Sequence, residues 1–179
     1  MANEDQPSRR RNLILTGFMA TGKSTVGRML AARLRYGFVD TDRVIEDRNG
    51  PIPVIFSERG EAEFRRLERA VALELAAFSS LVIATGGGLM LDLVSADALA
   101  GSGLVVCLTA SPTTILRRVG GPRAGERRPL LAVDDPEAKI RELMNERAPA
   151  YQRFAQVSTD GRTLTEVADH IMDLVDHDL

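Results

Sequence analysis

The stretch NLILTGFMATGKST (12–25) constrains the fold more than any other part of the chain. A short apolar run, the length of one strand, ends at Gly17, and the spacing Gly17-x4-Gly22-Lys23-Ser24 then opens a helical pattern. A small-residue turn between a strand and a helix start faces successive backbone N–H groups inward. The helix dipole reinforces them, and the result is a cradle for phosphate oxygens. Gly17, Ala20, Thr21, Gly22, Lys23, Ser24 and Thr25 are the candidate cradle residues. Lys23 can reach the β and γ phosphates and the Ser24 hydroxyl can ligate Mg²⁺.

The rest of the chain repeats the strand-then-helix rhythm. Short apolar runs recur at GFVD (37–40), SLVIAT (80–85), GLVVCL (103–108) and, more weakly, AQVST (155–159). Between them lie three-and-four spacings: Phe64, Leu67, Val71, Leu75 and Phe78 in one stripe, Leu164, Val167, Ile171, Leu174 and Val175 in another. Runs that are apolar throughout, rather than alternating, predict an α/β fold with a parallel sheet covered on both faces by helices. The segment GGPRAGERRPLLAVDDP (120–136) has no apolar periodicity. A loop of that length inside a compact domain is usually functional, and the pattern resumes on both sides of it, so a lid over about 120–134 is expected rather than a linker. At 179 residues the chain is expected to form a single domain over 1–179.

Charge excludes some partners. The 23 basic and 25 acidic residues nearly cancel, so bulk electrostatics recruit neither nucleic acid nor membrane. A monomer is the expectation. Only Lys23 and Lys139 are lysines; the other basic residues are arginines, which suit two-pronged gripping of carboxylate and phosphate. The start, MANEDQPSRRRNLILTG, places a basic run before an apolar one, but the run is short and Glu4 and Asp5 oppose a transit peptide. No stretch approaches membrane-spanning length, and the cytoplasm is the expected compartment. Cys107, among apolar neighbours, reads as a core residue, and His170 and His177 as surface residues.

Four further segments carry candidate chemistry. VDTD places Asp40 and Asp42 at the carboxyl end of the second strand, the edge where ligands sit in open α/β sheets. Asp42 is either an N-cap for a helix beginning near Arg43 or a ligand. Beside a Mg-nucleotide, one carboxylate would hold metal-bound water and the other would orient a substrate hydroxyl. GEAEFRRLE (60–68) puts Arg65 and Arg66 on an amphipathic helix, as solvent-facing groups or as ligands. ATGGG (84–88) ends the third strand with Gly86, Gly87 and Gly88, which let a small polar molecule lie against bare amides. Arg117 and Arg118 close the helix before the lid, and the lid itself carries Arg123, Arg127 and Arg128, placed to close over a transferring phosphoryl group.

Together with RRPLL (127–131) and NERAPAY (145–151), in this order and near this spacing, these segments resemble the shikimate kinase family over roughly residues 12–160. The resemblance implies a three-layer P-loop kinase fold with a five-stranded parallel sheet, a substrate-binding helical region at about 43–75 and a lid. It implies transfer of the ATP γ-phosphate to the 3-hydroxyl of shikimate, with Mg²⁺, in aromatic amino-acid synthesis. By position, Lys23 and Ser24 would hold phosphate and Mg²⁺, with Asp40 near the metal through water. Asp42 would bind the hydroxyls and take the reacting proton. Arg65 and Arg147 would grip the carboxylate, Gly86, Gly87 and Gly88 would line the pocket, Arg128 would be the lid arginine and Arg118 would pack against adenine.

The chain also departs from the family pattern. Ala20 stands where glycine is usual, which costs roughly 1 kcal/mol if the position needs a positive φ. A lid a few residues longer than is common leaves Arg127 and Arg128 as alternatives. Pro51 and Pro53 stand where a helix should begin, tolerable in a first turn. No residue at 160–162 matches the expected adenine contact. The rival readings are another small-metabolite kinase, such as one acting on gluconate or a nucleoside monophosphate, and a non-catalytic ligand sensor.

Overall fold

In a computed structural model, residues 11–120 and 131–178 are described. Strand β1 (Asn12–Gly17) feeds helix α1 (Lys23–Leu34), then β2 (Gly37–Asp40), α2 (Thr41–Asn49) and α3 (Ile52–Ala76). Strand β3 (Leu81–Ala84) leads through a short 3₁₀ turn (Leu89–Leu91) to α4 (Leu93–Ser102), β4 (Gly103–Thr109) and α5 (Pro112–Val119). Helix α6 (Pro136–Tyr151), β5 (Ala155–Ser158) and α7 (Leu164–Asp178) complete the described chain. The five strands lie in the order β2-β3-β1-β4-β5, every pair parallel. All five apolar runs are strands, as expected.

The continuous apolarity of β1 is explained by its central place. Asn12 to Gly17 are all buried, with Leu13 and Leu15 packing against α1 and α7 on one face and Ile14 against α3 and α4 on the other. The stripe on α3 is buried at Phe64, Leu67, Val71 and Leu75, but Phe78 lies beyond the helix and is 57% exposed. The α7 stripe is buried at Val167, Ile171 and Val175, whereas Leu164, in its first turn, is exposed. Cys107 is buried, and His170 and His177 are exposed.

Two irregularities position the site. Pro51 precedes α3 and Pro53 lies in its first turn, so neither breaks a hydrogen bond of the helix. At Gly60, φ is +81° and the helix breaks, so the stretch carrying Arg65 and Glu68 takes its own direction. Asp92 caps α4 through Ser95 N–H and also receives Arg69, and these contacts, led by Arg69, hold its carboxyl down at about 2. Of the expected lid, Arg123, Arg127 and Arg128 lie outside the described residues; Leu131, just after them, is buried against α5 and α6.

Candidate active site

The phosphate loop follows from its glycines. Gly17 has φ +127° and lies so close to the Leu108 carbonyl of the neighbouring strand that no side chain fits there. Gly22, also left-handed, turns the chain into α1. Thr21 Oγ1 closes the turn by donating to the Phe18 carbonyl at 2.8 Å, and Lys23 Nζ reaches back to the Gly17 and Phe18 carbonyls, both at 2.9 Å. Ala20 has φ +59°, so the substitution noted in the sequence does sit in a left-handed turn.

At the end of β2, Asp40 and Asp42 divide roles, though not by the capping arrangement considered from sequence. Helix α2 begins at Thr41, and Asp40 is its cap, accepting the Asp42 N–H at 3.2 Å. Asp40 also accepts the Ser24 hydroxyl at 2.6 Å. Asp42 is thereby not a cap, and it lines a cavity of about 260 Å³ with Lys23, Ser24, Asp40, Thr85 and Gly87.

The glycine strap after β3 is the centre of a second cluster of side chains. Thr41 Oγ1, fully buried, accepts the Gly86 N–H at 2.8 Å and holds the strap against α2. A side chain at Gly86 would strike the Asp42 and Glu68 carboxylates, and one at Gly88 would strike the Arg65 guanidinium. The Gly87 carbonyl accepts Arg147 Nη1 at 3.1 Å and the Tyr151 hydroxyl at 2.5 Å. Asp42, Arg65 and Arg147 therefore meet at three consecutive bare residues. A second cavity of about 590 Å³, lined by Arg65, Glu68 and Gly88 among others, opens along α3. Arg66, by contrast, turns to Glu63 on the surface.

Sequence reasoning passed over Glu68 and Tyr151. Glu68 is 3% exposed and bonds Arg65 Nη1 at 2.6 Å, while Glu61 takes Nε and Nη2. Burial pushes the Glu68 carboxyl above its ordinary range, and Arg65 opposes this. The available signal was a carboxylate four residues after Phe64, on the buried stripe itself. Burial likewise pushes the Tyr151 phenol up to about 12, so its hydroxyl remains a donor. At the other end of the cleft, Arg118 Nη1 donates to the Ala20 carbonyl at 3.2 Å, and Asp160 accepts the Ser111 N–H at 2.7 Å.

A family model described as shikimate kinase matches residues 19–176. The chain belongs to the shikimate kinase family. Among relatives in that family, the shikimate kinase of Thermoanaerobacter pseudethanolicus is 46% identical over 165 residues, covering 90% of this chain and 94% of the relative. A solved shikimate kinase from Acinetobacter baumannii, in complex with shikimate, is 37% identical, with a TM-score of 0.86 over 94% of each chain. A gluconokinase from Sinorhizobium meliloti 1021 superposes with a TM-score of 0.64 at 16% identity, over 94% of this chain and 93% of that one, a likeness of fold alone. This member of the shikimate kinase family has no helix, among its described residues, long and apolar enough to cross a membrane.

Proposed function

We propose that the protein transfers the γ-phosphate of ATP to the 3-hydroxyl of shikimate, giving shikimate 3-phosphate for aromatic amino-acid synthesis. The observation that carries this reading is the convergence of Asp42, Arg65 and Arg147 on the bare Gly86–Gly88 strap beside the phosphate loop. An anionic polyol needs cations at one end and hydroxyl acceptors at the other. Two guanidinium groups suit a carboxylate because each offers a planar fork of charged donors that matches its two oxygens. Asp42 binds the hydroxyls and accepts the proton of the attacking one. Lys23 leaves the carbonyls of its own loop for phosphate oxygens, and Arg128, with Arg127 as the alternative, would neutralise charge developing on the transferred group.

The oxygen donors fit Mg²⁺. This ion keeps several waters and binds through a few hard oxygens together with substrate phosphates, and Ser24 Oγ and the Asp40 carboxylate lie 2.6 Å apart at the cleft wall. Ser24 would hold it directly and Asp40 through water. When bound, the ion supplies charge neutralisation between phosphates. The proposed setting is the cytoplasm, with the protein acting as a monomer.

A coupled assay with Mg-ATP and a panel of acceptors tests the assignment. Turnover is expected with shikimate; equal or better turnover of gluconate or a nucleoside monophosphate would reject it.

A further inference from the structure

Ala20 is the one non-glycine residue of the phosphate loop in a left-handed conformation. Its methyl group disfavours that conformation, and such a residue persists only where its surroundings hold it. Thr21 and Lys23 close the loop through the carbonyls of Phe18 and Gly17, not through that of Ala20. The Ala20 carbonyl is bonded from a different element. Arg118, at the end of α5, donates through Nη1 to the Ala20 carbonyl at 3.2 Å and to Thr159 Oγ1 at 2.8 Å, and through Nη2 to the Thr159 carbonyl at 3.0 Å. Thr159 is itself anchored, since its N–H and its hydroxyl both donate to the Thr109 carbonyl, at 2.8 and 3.0 Å. Thr159 is only 4% exposed. One planar guanidinium thus ties the strained turn to the corner after β4 and β5.

We infer that Arg118 is a positioning residue of the phosphate loop, holding Ala20 in its left-handed turn by bridging the Ala20 carbonyl to Thr159, independently of any contact with a nucleotide base. The inference rests on the phosphate-binding reading given above. A flat, forked donor suits this task, and an ammonium group does not.

The test uses inorganic tripolyphosphate with Mg²⁺, a probe that has the phosphates of ATP and no base. By calorimetry, Arg118→Ala should bind it about five- to tenfold more weakly than the wild type, the scale of a left-handed alanine left unsupported. Arg118→Lys, which keeps the charge and loses the fork, should weaken binding to a similar degree. Repeated with Ala20→Gly, where the turn needs no support, both losses should shrink to less than about twofold. Thermal melts accompany each variant, and Arg118→Lys carries the test if Arg118→Ala does not fold. Unchanged binding in the variants, or the same loss with alanine and glycine at position 20, would overturn the inference. Failure of the wild type to bind tripolyphosphate would instead count against the phosphate-loop reading itself.

Discussion

The phosphate end of the cleft is one continuous stretch of chain, Gly17–Thr25, whereas the acceptor end draws Asp42, Arg65, Glu68, Gly86–Gly88, Arg147 and Tyr151 from α2, α3, the strap after β3, and α6. The first is made mostly of backbone, and its conformation is set by its glycines, by hydrogen bonds within the loop and, at Ala20, by the single guanidinium of Arg118. The second is made mostly of side chains held by packing between distant segments. A local motif can therefore hold a phosphate on any P-loop protein, while the choice of what receives it depends on how separate elements pack. Substitutions should separate the two ends accordingly.

Lys23→Ala gives the largest expected effect, because it acts where the ends meet. Transfer should fall by at least about a thousandfold with the circular dichroism unchanged; a variant that still turns over would break the distinction at its root. Arg65→Ala comes next, raising the shikimate dissociation constant about a hundredfold while that for ATP moves less than about twofold. Calorimetry that finds equal losses for both ligands would mean the acid does not dock there. Because this change strands the buried Glu68 carboxyl, its loss of stability should grow as pH rises through the raised Glu68 titration, where the unpaired group must ionise. Gly88→Ala, which crowds the same guanidinium, should raise KM for shikimate about tenfold and leave KM for ATP in place.

At the phosphate end, Ala20→Gly should stabilise by about 0.5–1 kcal/mol, the relief of left-handed strain less the entropy of a glycine, and raise Tm by roughly 2 °C. The smallest effect is on the acceptor side. Asp92, which lines the cavity beside Arg65, has its carboxyl held at about 2, so its contribution is present above the ordinary aspartate range and is lost as pH falls towards 2. Urea midpoints measured at successive pH values should fall less steeply in this range for Asp92→Asn than for the wild type.

The same division explains what could be read beforehand. Strands β1, β3 and β4 were legible because their runs are apolar without alternation, β2 and β5 more from their place in the strand-then-helix rhythm, and the phosphate loop because its spacing is local. Asp40 and Asp42 were legible as a pair but not as individuals. Which of them caps α2 depends on where the helix starts, and it starts at Thr41, one residue after Asp40. Phe78 continued the α3 periodicity on paper, yet the helix ends at Ala76. Arg65 and Arg66 are adjacent and alike, and although one helical step turns them apart, which of the two faces the cleft is decided by the approach of the Gly88 strap, with Arg66 bonded to Glu63 on the surface. Tyr151 gave no local sign, because its partner is 64 residues away.

A peptide group is flat and trans, so a carbonyl and the N–H that follows it face opposite ways. Tyr151 and Arg147 both pull on the oxygen of Gly87, which fixes the bearing of the Gly88 N–H on the far side of the same plane. The strap then works like a weathervane clamped by its tail: the phenol on α6 sets which way a backbone donor points without approaching it. Losing that phenol would be felt as a rotated amide rather than as a missing contact.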